Sequence, residues 1–450
     1  MPDSSPPSVA ALLALVATLQ AALAAAHAEL ATLRAELGKK GGPPGWAKST
    51  TAPRAKTPRK QRPHGASRQC AADAERMAHT VDSCPACGQA LTGGWEYSSR
   101  ETLVFPREAV RVVRHVCVAR RCGVCGTLVI GRPDPAREAL VGKHRIDAHG
   151  MSLITFWHTL CRLPLRIIQH LLQRLYACAL SLGELRYVLD AVAASGQPDY
   201  GRLRDAIRGS PVVHQDETGW REDGKNGYGW TAVTDAVRYF ERHGTRSGAV
   251  PKARLGEDFC GVVVCDGYQG YDPLACQLQR CWVHLLRHGH EIVTRHPDAA
   301  DAHAWVTGVR ASYDAAKALV ATPGYATRPE AEREAQRLAF QQRLLAQVQP
   351  AITSAITEQA CLAKYLTGYM NELFVFVHSP EVPRENNPAE RAIRPLVITR
   401  KVCGGTRAAK GSHTKMSLMS LLHTAQVRGL DPITAIEQML LGTPMFPAMT

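Results

Sequence analysis

The sequence predicts a multidomain α/β (α+β) protein in which a mixed sheet is combined with a large helical portion. Three observations lead to this prediction. The chain has 450 residues, a length that favours two to four domains over one. Residues 211–266 alternate apolar and polar positions between turn residues, which is typical of β-strands. Residues 285–365 repeat apolar positions at helical spacing instead.

Composition sets the first limits on function. A hydrophobic content of 45% excludes wholesale disorder and a fibrous design. The net charge of +14 indicates a polyanionic partner, either nucleic acid or an anionic membrane surface. The fourteen cysteines are too sparse for a disulfide scaffold, and several form C-x-x-C pairs. This usage favours a bound metal and a reducing compartment, so we expect a cytoplasmic protein.

The amino-terminal segment, residues 1–37, predicts a coiled-coil helix that would make the chain a homo-oligomer. Its first eight residues lack Lys and Arg, unlike a secretory signal, and its many alanines make a poor membrane span. No membrane partner is therefore expected. An alanine-rich helix packed on its own domain is the alternative to a coiled coil. The apolar seam advances in steps of four and three, as in a heptad repeat: Leu12, Val16, Leu19, Leu23, Ala26, Leu30, Leu33 and Leu37.

Residues 38–72 predict a disordered basic linker. Residues 38–68 contain nine Lys or Arg, no Asp or Glu, and many Pro and Gly, so this segment cannot form a core. It is either a simple tether or a non-specific DNA contact. We favour the DNA contact because uncompensated positive charges release counterions from DNA. The candidate contacts are Lys39, Lys40, Lys56, Arg59, Lys60 and Arg62.

Residues 73–132 predict a zinc-ribbon domain. Cys84 and Cys87 form one C-x-x-C-G knuckle, and Cys122 and Cys125 form a second one, which begins 35 residues after Cys87. Residues 101–105 and 110–118 carry β-branched residues, as expected for the strands of a hairpin between the knuckles. Two knuckles around a hairpin favour one structural Zn²⁺ ion bound by four thiolates over a thioredoxin-like redox pair.

Residues 145–209 predict a helical region. An apolar face at helical spacing precedes a short break near Ala177, after which Ser181 and Glu184 have the form of a capping box. A helix, a short turn and a capped second helix fit a helix-turn-helix DNA reader. They fit a plain helical hairpin equally well.

Two acidic residues stand at the ends of predicted strands in residues 210–432. Asp216 and Asp266 each follow a short apolar run. Either one alone would often be a turn cap, but two together are harder to explain in that way. The predicted elements are strands over 211–216, 227–234 and 237–240, a helix over 248–255, and a strand over 261–266, an order that matches a ribonuclease H-like sheet.

A third acid, Glu390, opens a later helix. We expect Asn387 to be the N-cap, Pro388 to occupy N1 and Glu390 to fall at N3, so that Glu390 can be a capping residue, a metal ligand or both. Converging carboxylates suit two Mg²⁺ (or Mn²⁺) ions about 4 Å apart, which catalyse phosphoryl transfer. The 123 residues between Asp266 and Glu390 predict a helical insertion at about 285–370. Residues 433–450 are expected to form a C-terminal tail.

Two further features flank these acids. Cys281 and His284 have the spacing of a C-x-x-H metal pair, but no second pair accompanies them, so a structural or substrate-orienting role is favoured over a zinc site. Residues 391–415 contain seven Lys or Arg and no acid, and the turn at 404–407 is expected to be flexible. Contact with a phosphate backbone is favoured over a merely solvated basic face. The candidate contacts here are Arg391, Arg394, Arg400, Lys401, Arg407 and Lys410.

Taken in order, these motifs resemble those of transposases of the insertion sequence 66 family. They span about residues 210–430, and the amino-terminal coiled coil, basic arm and knuckles are also similar to that family. Trp220, Cys281, His284 and Asn387 stand within the motifs as supporting residues. The motifs are 214–220 (HQDETGW), 223–227 (DGKNG), 266–272 (DGYQGYD), 279–284 (QRCWVH), 386–391 (NNPAER) and 400–407 (RKVCGGTR).

The resemblance implies an RNase H-like catalytic domain with a DDE triad at Asp216, Asp266 and Glu390. It implies metal-assisted hydrolysis at the ends of a bacterial mobile genetic element, followed by attack of the freed 3′-hydroxyl on target DNA. The expected partners are double-stranded DNA (terminal inverted repeats and target), a second copy of the chain on that DNA, and accessory proteins of the same element. The expected location is the nucleoid-associated cytoplasm.

Two other functions remain open. The chain could be a catalytically inactive zinc-ribbon DNA-binding regulator derived from a transposase, although the three acids argue against this. It could also be an RNase H-like nuclease without strand transfer. Joined transposon–target products would distinguish a transposase from such a nuclease.

Overall fold

The computed structural model describes residues 79–93, 95, 109–122, 124–125 and 127–446. The predicted coiled coil (residues 1–37) and basic linker (residues 38–72) lie outside these residues, and so do the six linker cations proposed as DNA contacts. The chain divides into two compact units, Met1–Val104 and Phe105–Thr450.

The first unit contains the knuckle of Cys84 and Cys87. The backbone N–H of Gly88 donates to the carbonyl of Cys84 at 2.8 Å, and the N–H of Cys84 donates to the carbonyl of Gln89 at 2.8 Å. Gly88 has a φ of +75°, a left-handed conformation that closes the turn and favours glycine. Backbone geometry therefore explains the glycine that follows the second cysteine of this C-x-x-C-G motif.

The second knuckle lies at the tip of a short hairpin in the second unit. Strand β1 (Ala119–Arg121) pairs antiparallel with β2 (Leu128–Ile130), and Cys122 and Cys125 lie in the connection between them. The prediction of a strand over residues 110–118 is wrong, because these residues form no ladder with any other described segment. Valine-rich sequence favours a strand only where a partner supplies the hydrogen bonds. Its predicted partner, residues 101–105, lies outside the described residues.

Four helices form the region that follows. The prediction of helices over 145–209 is confirmed, and so is the capping box: Glu184 N–H donates to Ser181 Oγ at 3.1 Å, and Ser181 N–H donates to Glu184 Oε2 at 2.8 Å. Their apolar faces belong to the largest core of the molecule. The helices are α1 (Ala148–Thr159), α2 (Leu165–Tyr176), α3 (Leu182–Ser195) and α4 (Gln197–Arg208).

A five-stranded mixed sheet follows the helices, in the strand order β5-β4-β3-β6-β7. Three consecutive strands are antiparallel, and the two later strands run parallel to the first of them. The predicted sequence of three strands, a helix and a further strand is therefore confirmed. The elements are β3 (Val212–Gly219), β4 (Tyr228–Val233), β5 (Arg238–His243), α5 (Ala249–Leu255), β6 (Val262–Cys265) and β7 (Gln277–Arg280).

The predicted helical insertion is also present. Its helices pack around a separate apolar core that includes Trp282, Tyr313, Leu344 and Phe374. The insertion begins directly after β7. The helices are α6 (Trp282–Arg295), α7 (Ala300–Val320), α8 (Glu330–Val348), α9 (Thr357–Gly368) and α10 (Val375–His378).

Two long helices return to the sheet after the insertion. Helix α11 (Asn387–Cys403) packs on β3 and β4, where a Cβ at Gly229 would lie 2.5 Å from Leu396 Cδ2, so a larger residue at 229 would require the Leu396 side chain to shift. Helix α12 (Ala409–Val427) covers the edge strand β5. Its Ser420 and Thr424 hydroxyls accept hydrogen bonds from the backbone N–H groups of Phe240 and Arg238, at 2.8 and 3.0 Å. The helix thereby satisfies an edge that would otherwise expose unpaired donors.

The predicted C-terminal tail contains a packed helix. Helix α13 (Pro432–Leu440) is capped by Asp431, which accepts from the N–H of Thr434 at 2.8 Å. Ile436 is fully buried against the main core, and Phe446 after the helix is also buried. The backbone N–H of Phe446 donates to Asp199 on α4 at 3.0 Å, so this end of the chain is attached to the helical region.

Candidate functional site

Asp216 and Asp266 lie on neighbouring parallel strands. Strands β3 and β6 pair with Val212 opposite Val262 and His214 opposite Val264. Continuing this register by two residues sets Asp216 beside Asp266, which directly follows β6. Both carboxylates are therefore carried to the same end of the sheet by backbone pairing alone.

Backbone hydrogen bonds orient both carboxylates. Asp216 Oδ1 accepts from the N–H of Glu217 at 2.8 Å, and Asp266 Oδ1 accepts from the N–H of Tyr268 at 2.9 Å. Burial raises the pKa of Asp216 well above its usual range, and the negative charges of Glu217, Asp266 and Glu390 raise it further. The site concentrates negative charge that a cation would neutralise.

Glu390 belongs to the first turns of α11, but Asn387 is not its N-cap. The N-cap is Asn386, so Pro388 occupies N2 and Glu390 lies one residue beyond N3; its N–H donates to the Asn386 carbonyl at 3.2 Å. No side-chain cap is present at this helix end. The capping-box explanation of Glu390 is therefore excluded, so its carboxylate is not committed to the helix cap.

Asn386 is a positioning residue that sequence reasoning missed. It is fully buried, its Nδ2 donates to the Gln215 carbonyl at 2.8 Å, and its Oδ1 lies 3.1 Å from His214 Nδ1. Its own N–H donates to Cys281 Sγ at 3.1 Å. One side chain and its amide thus join the start of α11 to β3 and to the start of α6. Two adjacent asparagines in the sequence gave no signal as to which one turns inward.

Glu217 is a fourth carboxylate at the site, and it too was missed. Tyr271 donates to Glu217 Oε2 at 2.6 Å, and Arg246 donates to Glu217 Oε1 at 2.8 Å. Burial raises the pKa of Glu217, as does the charge of Asp266, while Tyr271 and Arg246 lower it. The sequence shows the two adjacent acids at 216 and 217. Because consecutive strand residues point to opposite faces, strand geometry gave no reason to expect that Glu217 would contribute to the same site as Asp216.

Arg280 fixes the turn that carries Asp266. Its fully buried guanidinium donates to the carbonyls of Asp266 and Tyr268 at 3.1 and 2.9 Å, to Glu372 at 2.6 Å, and to Asp272. A buried arginine is stable only when its donors are paired, as these are. The β7 end therefore holds the β6 end in one conformation.

Trp220 and the turn at residues 404–407 meet each other. Trp220 Nε1 donates to Thr406 Oγ1 at 3.1 Å, the Thr406 N–H donates to the Arg221 carbonyl at 2.9 Å, and the Asp223 N–H donates to the Thr406 carbonyl at 2.9 Å. The prediction of a flexible turn is therefore wrong. Gly405 has a φ of +131°, and a Cβ there would lie 2.2 Å from the Arg221 carbonyl oxygen, so glycine is required by the pairing.

The cations of residues 391–415 have different surroundings. Arg391, Arg394, Lys401 and Arg407 are exposed. Arg400 donates to the Gly219 carbonyl at 2.6 Å and to Thr218 Oγ1 at 3.2 Å, and Lys410 Nζ lies 3.1 Å from Asp190 on α3. Lys415 is buried, and burial lowers its pKa to about 8. Some cations of this run are therefore on the surface, whereas others bond to neighbouring parts of the fold.

Cys281 and His284 lie beside Glu390. One ligand atom of each residue lies within 4.8 Å of the other two. Within the part of the chain that the structure describes, this is the one such group of three His, Cys, Asp or Glu residues; the triad of Asp216, Asp266 and Glu390 does not reach that closeness.

A sequence profile described as the transposase IS66 family matches residues 144–414, well over half of the chain. The chain belongs to the IS66 transposase family. The matched range contains Asp216, Asp266, Glu390, Cys281 and His284, and it begins after the two cysteine knuckles. The resemblance identified from the motifs is thereby confirmed.

Relatives of this IS66-family chain include two uncharacterized proteins of Sinorhizobium fredii (strain NBRC 101917 / NGR234). The protein y4jD is 26% identical over 391 residues, which cover 80% of this chain and 74% of y4jD. The protein y4qI is 28% identical over 234 residues, which cover 47% of this chain and 41% of y4qI. Among the described residues, no helix is long and apolar enough to cross a membrane.

One thiol in each cysteine knuckle of this IS66-family chain, Cys84 and Cys125, has a lowered pKa. Backbone N–H groups of Ala86 and Cys87 lower the pKa of Cys84. The Thr127 hydroxyl, 3.1 Å from Cys125 Sγ, and the Thr127 backbone lower the pKa of Cys125 to about 7, and Cys122 contributes. Because the thiolate is the metal-binding form, each knuckle suits a soft cation.

Proposed function

We propose that this IS66-family protein is a DDE transposase that cleaves the ends of a mobile element and joins them to target DNA. The observation that carries the proposal is the position of Asp216 and Asp266 at one end of neighbouring parallel strands, with Glu390 adding to the electrostatic repulsion at Asp216. The strand order, three antiparallel strands followed by two parallel ones, supports an RNase H-like assignment of the sheet.

The residues present fit a divalent Mg²⁺ or Mn²⁺ site. Carboxylate oxygens are the ligands that these hard cations prefer. Burial raises the pKa of Asp216, and the negative charges of Glu217, Asp266 and Glu390 raise it further; bound cations would offset those charges. Asp216, Asp266 and Glu390 would hold the metal, with Asp216 and Asp266 as shared ligands of two ions. When bound, such ions stabilise the negative charge that develops on the transferred phosphoryl group.

The protein's own side chains would keep this site rigid. Arg280 holds the backbone of Asp266 and Tyr268, Arg246 and Tyr271 hold Glu217, and Asn386 fixes the start of α11. Preorganised groups need no rearrangement when the scissile phosphate arrives. The reaction is then two successive displacements at phosphorus. Water first breaks a P–O bond at the element's end, and the freed 3′-hydroxyl then attacks a target phosphodiester and displaces a 3′-hydroxyl of the target strand, with no covalent protein–DNA intermediate.

DNA contact is proposed for the exposed cations on and after α11. Arg391, Arg394 and Lys401 recur along α11 at spacings of three and seven residues, and Arg407 follows it. Such contacts position a duplex without reading its sequence. Recognition of the terminal inverted repeats would belong to the amino-terminal half, where the four knuckle cysteines would bind one structural Zn²⁺ and the coiled coil would pair two chains. The site of action would be the nucleoid in the cytoplasm.

The test is cleavage of DNA that carries the element's own ends, in Mg²⁺, by the full-length protein and its Asp216→Asn variant. We expect cleavage by the wild-type protein and a loss of at least about 100-fold in the variant, because its metal ligand is weakened. The control is Asp258→Asn, an exposed position outside the site. Full activity in Asp216→Asn would overturn the metal assignment.

The products of the same reaction test strand transfer. Joined element–target molecules are expected when a supercoiled plasmid is added as target. Cut ends without joined molecules, under conditions in which cleavage goes to completion, would identify the protein as a nuclease.

A further inference from the structure

Cys281, His284 and Glu390 bring three different metal-binding groups together. Their ligand atoms all lie within 4.8 Å of one another, so small side-chain movements would bring all three to one tetrahedral ion. Cys281 is buried, whereas His284 and Glu390 are partly exposed, so the group opens to solvent on one side.

Two helix starts create this arrangement. Cys281 is the N-cap residue of α6, and His284 follows three residues later, which sets both side chains on one face of the helix. Glu390 comes from the first turns of α11. The N–H of Asn386 donates to Cys281 Sγ at 3.1 Å, and the N–H of Trp282 donates to the Arg384 carbonyl at 3.1 Å. These bonds join the beginnings of the two helices, so the three groups meet because the backbones are attached.

Two atoms of the group have no hydrogen-bond partner among the described residues. His284 Nδ1 and Glu390 Oε1 are both buried from solvent at the atomic level and accept or donate no hydrogen bond among the described residues. His284 Nε2 lies 3.5 Å from Glu390 Oε1, which is long for a hydrogen bond. Buried polar atoms without partners cost free energy, and a bound cation would satisfy them.

The pKa of the Cys281 thiol is raised overall, because the effect of burial exceeds that of the backbone hydrogen bonds to its sulfur. Burial raises the pKa of its thiol, while the backbone N–H groups of Asn386, His284 and Val283 lower it. Backbone N–H groups directed at a sulfur stabilise a metal-bound thiolate, and the starts of α6 and α11 add positive partial charge.

From this geometry we propose that Cys281, His284 and Glu390 form a site for a zinc-like divalent cation, with the fourth ligand position open to solvent. Thiolate and imidazole ligands select zinc over magnesium. The site is distinct from the cysteine knuckles and does not depend on transposition chemistry, although it shares Glu390 with the proposed catalytic centre. An ion bound there also adds positive charge beside Asp216, whose pKa already responds to Glu390.

The test is the zinc content of the purified full-length protein, measured by mass spectrometry without DNA or Mg²⁺. We expect the Cys281→Ser and His284→Gln variants each to hold about one ion per chain fewer than the wild type, whatever the knuckles contribute. Matched controls are Cys403→Ser, at an exposed cysteine of α11, and His290→Gln, at an exposed histidine of α6, which should both keep the wild-type content. His284 is partly exposed, so its variant tests the site even if Cys281→Ser unfolds.

Cobalt substitution gives a second readout. The Co²⁺-loaded wild type should show a thiolate-to-metal charge-transfer band whose intensity falls in Cys281→Ser and remains in Cys403→Ser. Equal zinc content in the wild type and His284→Gln would overturn the proposal and assign His284 to an ion pair with Glu390. Asp216→Asn should keep its zinc, so a failure of the proposed transposase activity and a failure of this site produce different results.

Discussion

The two ends of α11 are fixed by different chemistry. At the amino-terminal end, the buried side chain of Asn386 bonds to the β3 backbone and its amide bonds to Cys281. At the carboxyl-terminal end, Thr406 pairs through its backbone with Arg221 and Asp223, and Gly405 permits the close approach. The helix has 17 residues and is therefore about 25 Å long. The helix thus carries Glu390 in its first turns and exposed cations along its length.

The difference shows how one helix can serve two purposes. The end that carries Glu390 depends on a few buried polar bonds that cannot be replaced by water. The end that leads to Arg407 depends on backbone shape, and Lys401 and Arg407 there are on the surface. Substitutions at the first end should therefore affect both stability and catalysis. Substitutions of the surface cations should affect DNA affinity alone.

The largest effect is expected for Asn386→Ala. The change leaves the Gln215 carbonyl and His214 Nδ1 without their partner, at about 1–3 kcal/mol for each buried unsatisfied group. We expect a clear fall in the denaturant midpoint and loss of DNA cleavage. Asn387→Ala is the control, since the side chain of Asn387 bonds to the neighbouring Glu385. Equal effects of the two substitutions would contradict the assignment of Asn386 as the positioning residue at the start of α11.

The next effect is expected for Gly405→Ala at the other end. A residue with a Cβ is strained at a φ of +131°, at about 1–3 kcal/mol, and its Cβ would also meet the Arg221 carbonyl. Gly404→Ala is a matched comparison, because Gly404 has a φ of +74° but no neighbouring atom within 4 Å of the place that a Cβ would take. In thermal unfolding, Gly405→Ala should have a lower melting temperature than Gly404→Ala. The reverse order would show that the loop is not paired with residues 221–223.

A smaller effect on stability, with a defined sign, is expected for Asp216, which lies on β3 near the start of α11. Burial and neighbouring negative charge raise the pKa of Asp216 in the folded protein, so folding favours its protonated form. The resulting loss of stability appears as pH rises above the ordinary carboxyl pKa and is complete above the raised value. In EDTA at neutral pH, Asp216→Asn should therefore have a higher free energy of unfolding than the wild type, and the difference should disappear in acid.

Glu241 on β5 provides the opposite case. Burial acts to raise its pKa, but Arg254, at 2.7 Å, and His243 lower it to about 2. Its stabilising contribution is present above the ordinary carboxyl pKa and is lost as pH falls toward 2. Glu241→Gln should thus destabilise the protein at neutral pH. The check is denaturant unfolding of Asp216→Asn and Glu241→Gln at several pH values. If both substitutions changed the free energy of unfolding in the same direction at neutral pH, the charge assignment would be wrong.

The smallest effect on stability is expected for exposed cations such as Arg394 and Lys401. Alanine at either position should change the free energy of unfolding by no more than about 0.5 kcal/mol. The salt dependence of DNA binding should fall by about 0.9 in slope for each phosphate that the variant no longer neutralises. Arg400→Ala is the contrast, because Arg400 bonds to Gly219 and its removal should destabilise the fold. An unchanged salt slope in both exposed variants would remove this face of α11 from the DNA-binding surface.

Much of the fold was predictable because local sequence patterns determine it. The strands around Asp216 and Asp266, the capping box of Ser181 and Glu184, and the helical insertion all follow from periodicity and capping chemistry. The strand over 110–118 was predicted wrongly because valine-rich sequence does not reveal whether a partner is available. The helix within the predicted tail was missed, although Asp431 and Pro432 form a recognisable helix start.

The site was only partly predictable, for a different reason. Asp216 and Asp266 are brought together by strand register, which a pattern can anticipate. Asn386 and Arg280 act through residues that are distant in the chain: His214 is 172 positions from Asn386, and Glu372 is 92 positions from Arg280. No local pattern carries that information. The turn at 404–407 illustrates the same limit, since its glycines indicated flexibility but serve a close backbone approach.

The most direct test of the proposed catalytic metal site is a crystal structure of the full-length protein bound to its element-end DNA in Mn²⁺. The data are recorded at a wavelength at which manganese scatters anomalously. We expect anomalous peaks about 2.0–2.3 Å from the carboxylate oxygens of Asp216 and Asp266, with Glu390 completing the ligand set. The same peaks should be absent from the Asp216→Asn complex. Manganese bound elsewhere, with no peak between Asp216 and Asp266, would contradict the proposed catalytic site.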